Sequence, residues 1–140
     1  FVPLGSRIKV TEWGKQRAAV LIDGRKMRLG VDYMRETLSI QSFFELVTTP
    51  VDPRPAIAAL PEATRNAIRA ARVLQGMTRE QVLVSLGRPR PDLVPNLDAK
   101  EWRYDVPGDD EIFLLFADSG ALAEIDGSRK ARKLILYEGT

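Results

Sequence analysis

The chain has no cysteine and no histidine among its 140 residues. The first absence excludes a disulfide framework, so cysteine pairing says nothing about redox compartment. The second removes the commonest general base and the commonest metal ligand together. No apolar run approaches the ~20 residues that span a bilayer. An excess of one charge sign is also missing. There are 21 Lys and Arg against 19 Asp and Glu, so the pI near 9.1 reflects an excess of two and not a basic domain. Residues 1–50 carry eight cations and five acids, and residues 51–140 carry thirteen and fourteen. Neither half has the basic stripe of a nucleic-acid binder, which would show steep salt dependence. There is no secretory signal. The start at Phe1 instead of Met reads as a processed or truncated product, with any targeting segment already removed.

Nucleophile chemistry is equally thin. Ser85 falls on a helix without a base, and Ser119 falls in a turn. There is no glycine-rich phosphate loop and no nucleophile elbow. The expectation is a non-enzyme without cofactor or metal.

The apolar fraction of 44% suffices for one domain or two very small ones. The first fifty residues read as strands. Arg7–Trp13 alternates, with Ile8, Val10 and Glu12 on one side, and Arg17–Asp23 is a compact apolar run. The Asp23-Gly24 pair is a hairpin signal before Arg25–Val31, which alternates Met27, Leu29 and Val31. Ser39–Pro50 is expected to add a further strand. The result is a small antiparallel β meander over residues 1–50, loosely similar to an SH3-type sheet. Three prolines between Pro50 and Pro55 mark residues 51–60 as a linker.

Residues 61–140 read as helix, helix, strand, strand, strand: an α+β two-layer domain. The first helix is expected from about Pro61 to Val73. The second is defined by its own ends. Thr78 with Gln81 three residues on is a capping box, and Met77 with Val82 can form a hydrophobic staple. Val82, Leu83 and Leu86 make the buried face, Gly87 closes the helix, and Pro89 prevents its restart. Lys100–Val106 alternates Trp102, Tyr104 and Val106. Glu111–Ala117 is a strongly apolar strand, and Ala121–Asp126 alternates again.

This order of elements resembles the BamE/SmpA/OmlA family of small bacterial outer-membrane lipoproteins. The resemblance rests on Gly76, Met77, Thr78, Val82, Leu86, Gly87 and Pro89, then Trp102 and Tyr104, then Phe116 and Gly120. It covers roughly Ala63 to Asp126. It implies a non-catalytic accessory or scaffold on the periplasmic side of the outer membrane, lipid-anchored in the precursor, binding envelope proteins such as outer-membrane assembly components. The lipidated cysteine of such proteins is absent here, and the N-terminal β region has no counterpart in the minimal family member. The same helix-helix-meander unit is similar to half of the β-lactamase-inhibitory protein fold. The alternative is therefore an inhibitor or peptide-binding module.

Candidate contacts follow from residue type and place. Trp13 lies beside a turn, and Trp102 sits on a strand with Tyr104 on the same face. Each is either core or an aromatic anchor for a partner. Arg90 and Leu93 open an irregular loop that runs on through Val94–Asp98, and this loop is either a contact or a plain connection. Arg129 and Lys130 belong to Ser128–Lys133, the densest basic cluster. It is a solvated loop or a contact for anionic lipid headgroups. Lys26 and Arg28 share a strand face opposite Met27 and Leu29. Asp109, Asp110 and Glu111 form an acidic run. A hard cation wants six or more oxygens, so a solvated turn is the plainer reading, and a hydrolase using Asp109 and Glu111 is a poor one.

Overall fold

The computed structural model describes residues 5–30 and 38–139. Among them are two three-stranded antiparallel sheets and five helices, a mixed α+β protein dividing into two compact units between Ala56 and Ile57. Val31, at the end of the alternating run, lies outside the described residues.

In the N-terminal unit, β1 (Ile8–Trp13), β2 (Arg17–Ile22) and β3 (Arg25–Gly30) form a meander in that order. Asp23 and Gly24 both take positive φ, 48° and 81°, as a two-residue hairpin turn requires. Val10 lies opposite Val20, and Val20 opposite Met27. A bulge after Val10 then shifts the register, so Glu12 falls opposite Ala19 and Trp13 opposite Ala18. The expectation that Glu12 shares the face of Ile8 and Val10 is thereby corrected. One extra residue inverts the side-chain parity.

Ser39–Pro50 does not add a strand. It forms α1 (Ile40–Val47), with the Ser39 hydroxyl accepting from the Ser42 amide at 3.1 Å as N-cap. Ile40, Phe43, Phe44 and Val47 recur at the spacing of one helix face. Ile40 is buried with Ala18 and Val20, and Phe43 packs against them. Within the proline-rich segment, read as linker, lies the one-turn α2 (Arg54–Ala58). The Asp52 carboxylate accepts from the Arg54 amide at its start, at 3.0 Å.

In the C-terminal unit, α3 (Glu62–Arg69) is shorter than the helix read from the sequence. Ala70 caps it, Ala71 turns to φ 53°, and Arg72 donates to the Ala67 carbonyl at 2.9 Å. The chain beyond is needed for pairing. Val73 donates to Ile135 at 2.8 Å and accepts from Tyr137 at 2.9 Å. Gly76 donates to Leu122, and Leu122 to Met77, each at 2.8 Å. This extended segment leads into α4 (Arg79–Leu86). Thr78 and Gln81 close the capping box, at 3.2 Å for the Gln81 amide and 3.1 Å for the Thr78 amide. Met77 and Val82 are both buried in one cluster. Gly87, at φ 80°, ends the helix, and its amide donates to Leu83 at 2.9 Å.

The sheet that supports these helices is β4 (Glu101–Val106), β5 (Asp110–Phe116) and β6 (Leu122–Gly127), in that order. Its inner face carries Trp102, Val106, Ile112, Leu114, Phe116, Leu122 and Ile125, which join Ala67, Ile68, Val73, Met77 and Val82 in the main core. Ser128–Lys133 is not a solvated loop. Ser128 caps α5 (Arg129–Ile135), accepting from Ala131 at 3.0 Å, and Ala131 is fully buried. No helix among the described residues is long and apolar enough to cross a membrane.

Candidate functional site

The main core of the C-terminal unit lies on one face of the β4–β6 sheet. Strand parity therefore sends the alternate residues of the apolar β5 outward. Phe113 lies opposite Arg103 and Asp126, and Leu115 lies opposite Glu101 and Glu124. Both apolar side chains are half-buried, and neither belongs to the main core cluster or the residues packed against it. Asp105 and Glu111 complete it. The outer face is thus a short apolar stripe bounded by five carboxylates and one cation. That cation is Arg103, paired with Glu111 at 2.5 Å. Asp105 is held by Arg90 at 2.9 Å. Glu101, Glu124 and Asp126 carry no ion pair among the described residues, and Glu101, Glu124 and Asp126 are exposed. An apolar centre with a charged rim is the general plan of a protein docking surface.

The sequence-derived contacts fall around this face unevenly. Arg90 sits at its edge, gripping Asp92 at 2.5 Å as well as Asp105, and this grip holds the Asp92 carboxyl below the ordinary value. Leu93 is half-buried and packs on the main core, as does Leu97, while Val94 and Pro89 are buried. The irregular loop is therefore packed down, with Arg90 and Asp92 as its outward part. Trp102 is not an exposed contact. It is completely buried, its ring edge-on to Phe116 at 4.8 Å, and its indole N–H donates to the Leu97 carbonyl at 3.2 Å. It lies on the inner face because it is opposite Leu114. Tyr104 shares that face, donates to the Gly87 carbonyl at 2.8 Å, and burial pushes its phenol above the usual value. Arg129 and Lys130 are exposed on the first turn of α5, with Arg132 and Lys133 following.

Trp13, in the N-terminal unit, is 43% exposed and stands edge-on to Phe44 at 5.5 Å. The outer face of that unit's sheet carries Lys9, Leu21 and Lys26 in one row and Glu12, Ala19 and Arg28 in the next. Lys26 and Arg28 do share one face, opposite Met27 and Leu29. A broad concavity in the same unit has Arg7, Lys9, Leu21 and Arg54 among its lining residues. Arg54 is already bound by Asp52 at 2.8 Å.

The acidic run is spread over separate partners. Asp110 accepts from the Ser128 hydroxyl and, at 2.8 Å, from the Glu111 amide. The Ser128 contact chiefly holds its carboxyl below the ordinary value. Glu111 turns to Arg103 on the other face. No group of three or more acids is placed to hold a metal among the described residues.

Sequence reasoning missed Phe113, Leu115, Glu101, Glu124 and Asp126 as a surface. The signal was present in Ile112–Phe116, where five apolar residues in a row fill both parities of one strand. It also missed Arg79, which lies over the Phe116 ring at 4.6 Å and donates to Ala99 at 2.9 Å, bracing α4 against the segment before β4. Comparison with known protein families, curated proteins and solved structures finds no match to this chain.

Proposed function

We propose that the chain is a non-catalytic accessory protein of the bacterial cell envelope whose C-terminal unit is BamE-like and binds other proteins. One observation carries the docking role: Phe113 and Leu115, both half-buried, lie on the sheet face turned away from the main core, flanked by Glu101, Glu124 and Asp126 and by Arg103. The order of two helices and a meander, with the capping box and glycine exit of α4, agrees with the family resemblance, which alone supplies the location on the periplasmic side of the outer membrane. Arg129, Lys130, Arg132 and Lys133 on α5 offer a further contact to anionic headgroups, each cation adding ~1 kcal/mol near such a surface. An SH3-like character for the N-terminal sheet and the loop contact at Arg90 belong to the same reading. The alternative, an inhibitor of a soluble enzyme, uses the same outer face and predicts one tight stoichiometric complex.

Fractionation of cells producing the full precursor tests the location. Recovery with the outer membrane, lost when any lipid-attachment cysteine of the precursor is replaced, is the expected result. Recovery in the cytoplasmic fraction contradicts the envelope role. A stable complex with a single soluble enzyme would favour the inhibitor reading.

A further inference from the structure

In each unit, the sheet face turned away from its own core carries charge of the opposite sign to the other's among the described residues. In the N-terminal unit, α1 packs on the face of Ala18 and Val20. The other face sets Ala19 and Leu21 on the central strand, both half-buried, between exposed Lys9, Lys26 and Arg28, with Glu12 the one acid in these two rows. The C-terminal unit presents the converse, with Leu115 between Glu101 and Glu124, Phe113 between Asp126 and Arg103, and Arg103 the one cation in these rows, itself paired with Glu111. Each face matches the other in its apolar centre and complements it in its rim.

We propose that the basic outer face of β1–β3 in one copy docks on the acidic outer face of β4–β6 in a second copy. This rests on reading the β4–β6 face as a docking surface, and it names the occupant. Charge selects it: like faces set against each other would oppose carboxylate to carboxylate or cation to cation, which disfavours a symmetric pair. The contact is heterologous, so it propagates from copy to copy or closes into a ring. The net charge of +2 leaves little long-range repulsion against assembly. Area sets the strength. Strands of this length span about 20 Å and three of them about 14 Å, so each face offers roughly 300 Å². That is well below the ~800 Å² per partner of a standard interface. The association is therefore weak, seen only at high concentration, and sensitive to salt because its charges are exposed.

Sedimentation of the full chain over a concentration series tests this in about 0.01 M and about 1 M salt, where the screening length is about 30 Å and about 3 Å. The sedimentation coefficient should rise with concentration in low salt, with affinity falling at least about tenfold in high salt. Two charge-reversed variants decide the faces. One carries Lys9→Glu, Lys26→Glu and Arg28→Glu; the other carries Glu101→Lys, Glu124→Lys and Asp126→Lys. Each alone should remain monomeric, and an equimolar mixture should associate again, since every face then finds an opposite one. All six positions are exposed, and unchanged thermal unfolding confirms that each variant is folded. A monomeric wild type at every concentration overturns self-docking, as does association indifferent to the reversals or a mixture that stays apart. Cross-linking of the β4–β6 face to a different protein alongside a monomeric wild type would overturn self-docking alone and leave the accessory reading standing.

Discussion

Thr78 and Gln81 answer each other's backbone amides within a single helical turn, so this contact could be read directly from residue order. Replacing Thr78 with Ala should cost about 1 kcal/mol in urea unfolding of the C-terminal unit. A loss below about 0.3 kcal/mol would contradict the capping role. Asp52 offers a second test at this scale. Its bond to Arg54 holds the carboxyl down at about 2, against an ordinary 3.8. The folded value is the lower one, so the pair's contribution is complete above the unfolded value near 4 and disappears as pH falls toward 2. Titration followed by carboxyl NMR should place Asp52 near 2 and return it toward 3.8 in Arg54→Ala. A titration unmoved by that substitution would contradict the pairing. Trp13 and Trp102 show what residue type alone withholds. Both were candidates for a contact, Trp13 the better one because it lies beside a turn, and it is 43% exposed while Trp102 is completely buried. Strand parity tells which residues share a face but not which face acquires a cover.

At the scale of elements, legibility followed the range of the deciding contacts. α4 was legible because its cap, staple and exit are local. α1 was misread because Ile40–Val47 is apolar in a pattern that fits a short strand or a short helix, and only the cap at Ser39 and the spacing of Ile40, Phe43, Phe44 and Val47 separate them. α5 was hidden by its four cations, which drew attention from Ala131 and Ile135 one turn apart on the buried side. α3 was overextended because the pairing of Val73 with the segment after α5 is long-range. The outer face of β5 was half legible: the five apolar residues Ile112–Phe116 fill both parities, but nothing in Glu111–Ala117 says which side takes the core. Adjacent residues on that strand now separate stability from binding. Leu114→Ala, in the core, should destabilise by about 2–5 kcal/mol. Leu115→Thr, on the outer face, should stay within about 1 kcal/mol of wild type in chemical unfolding. Equal losses at the two positions would contradict a one-sided sheet.

At the scale of the whole molecule, the two units have unequal cores. Among the described residues, three buried residues centre the N-terminal one, against fourteen in the C-terminal cluster. Local stability follows buried apolar contact. Amide exchange should therefore be faster in β1–β3 than in β4–β6, and equal protection would contradict separate cores. A small unit of this kind is suited to carrying a charged face more than to standing alone. The docking role requires that another polypeptide sit on the outer face of β4–β6. A photo-reactive residue at position 115, in the cells that make the protein, tests this most directly. The account predicts adducts to another protein chain from position 115, lost when Glu101, Glu124 and Asp126 are reversed to lysine. A folded protein that gives no such adduct from position 115 would contradict it.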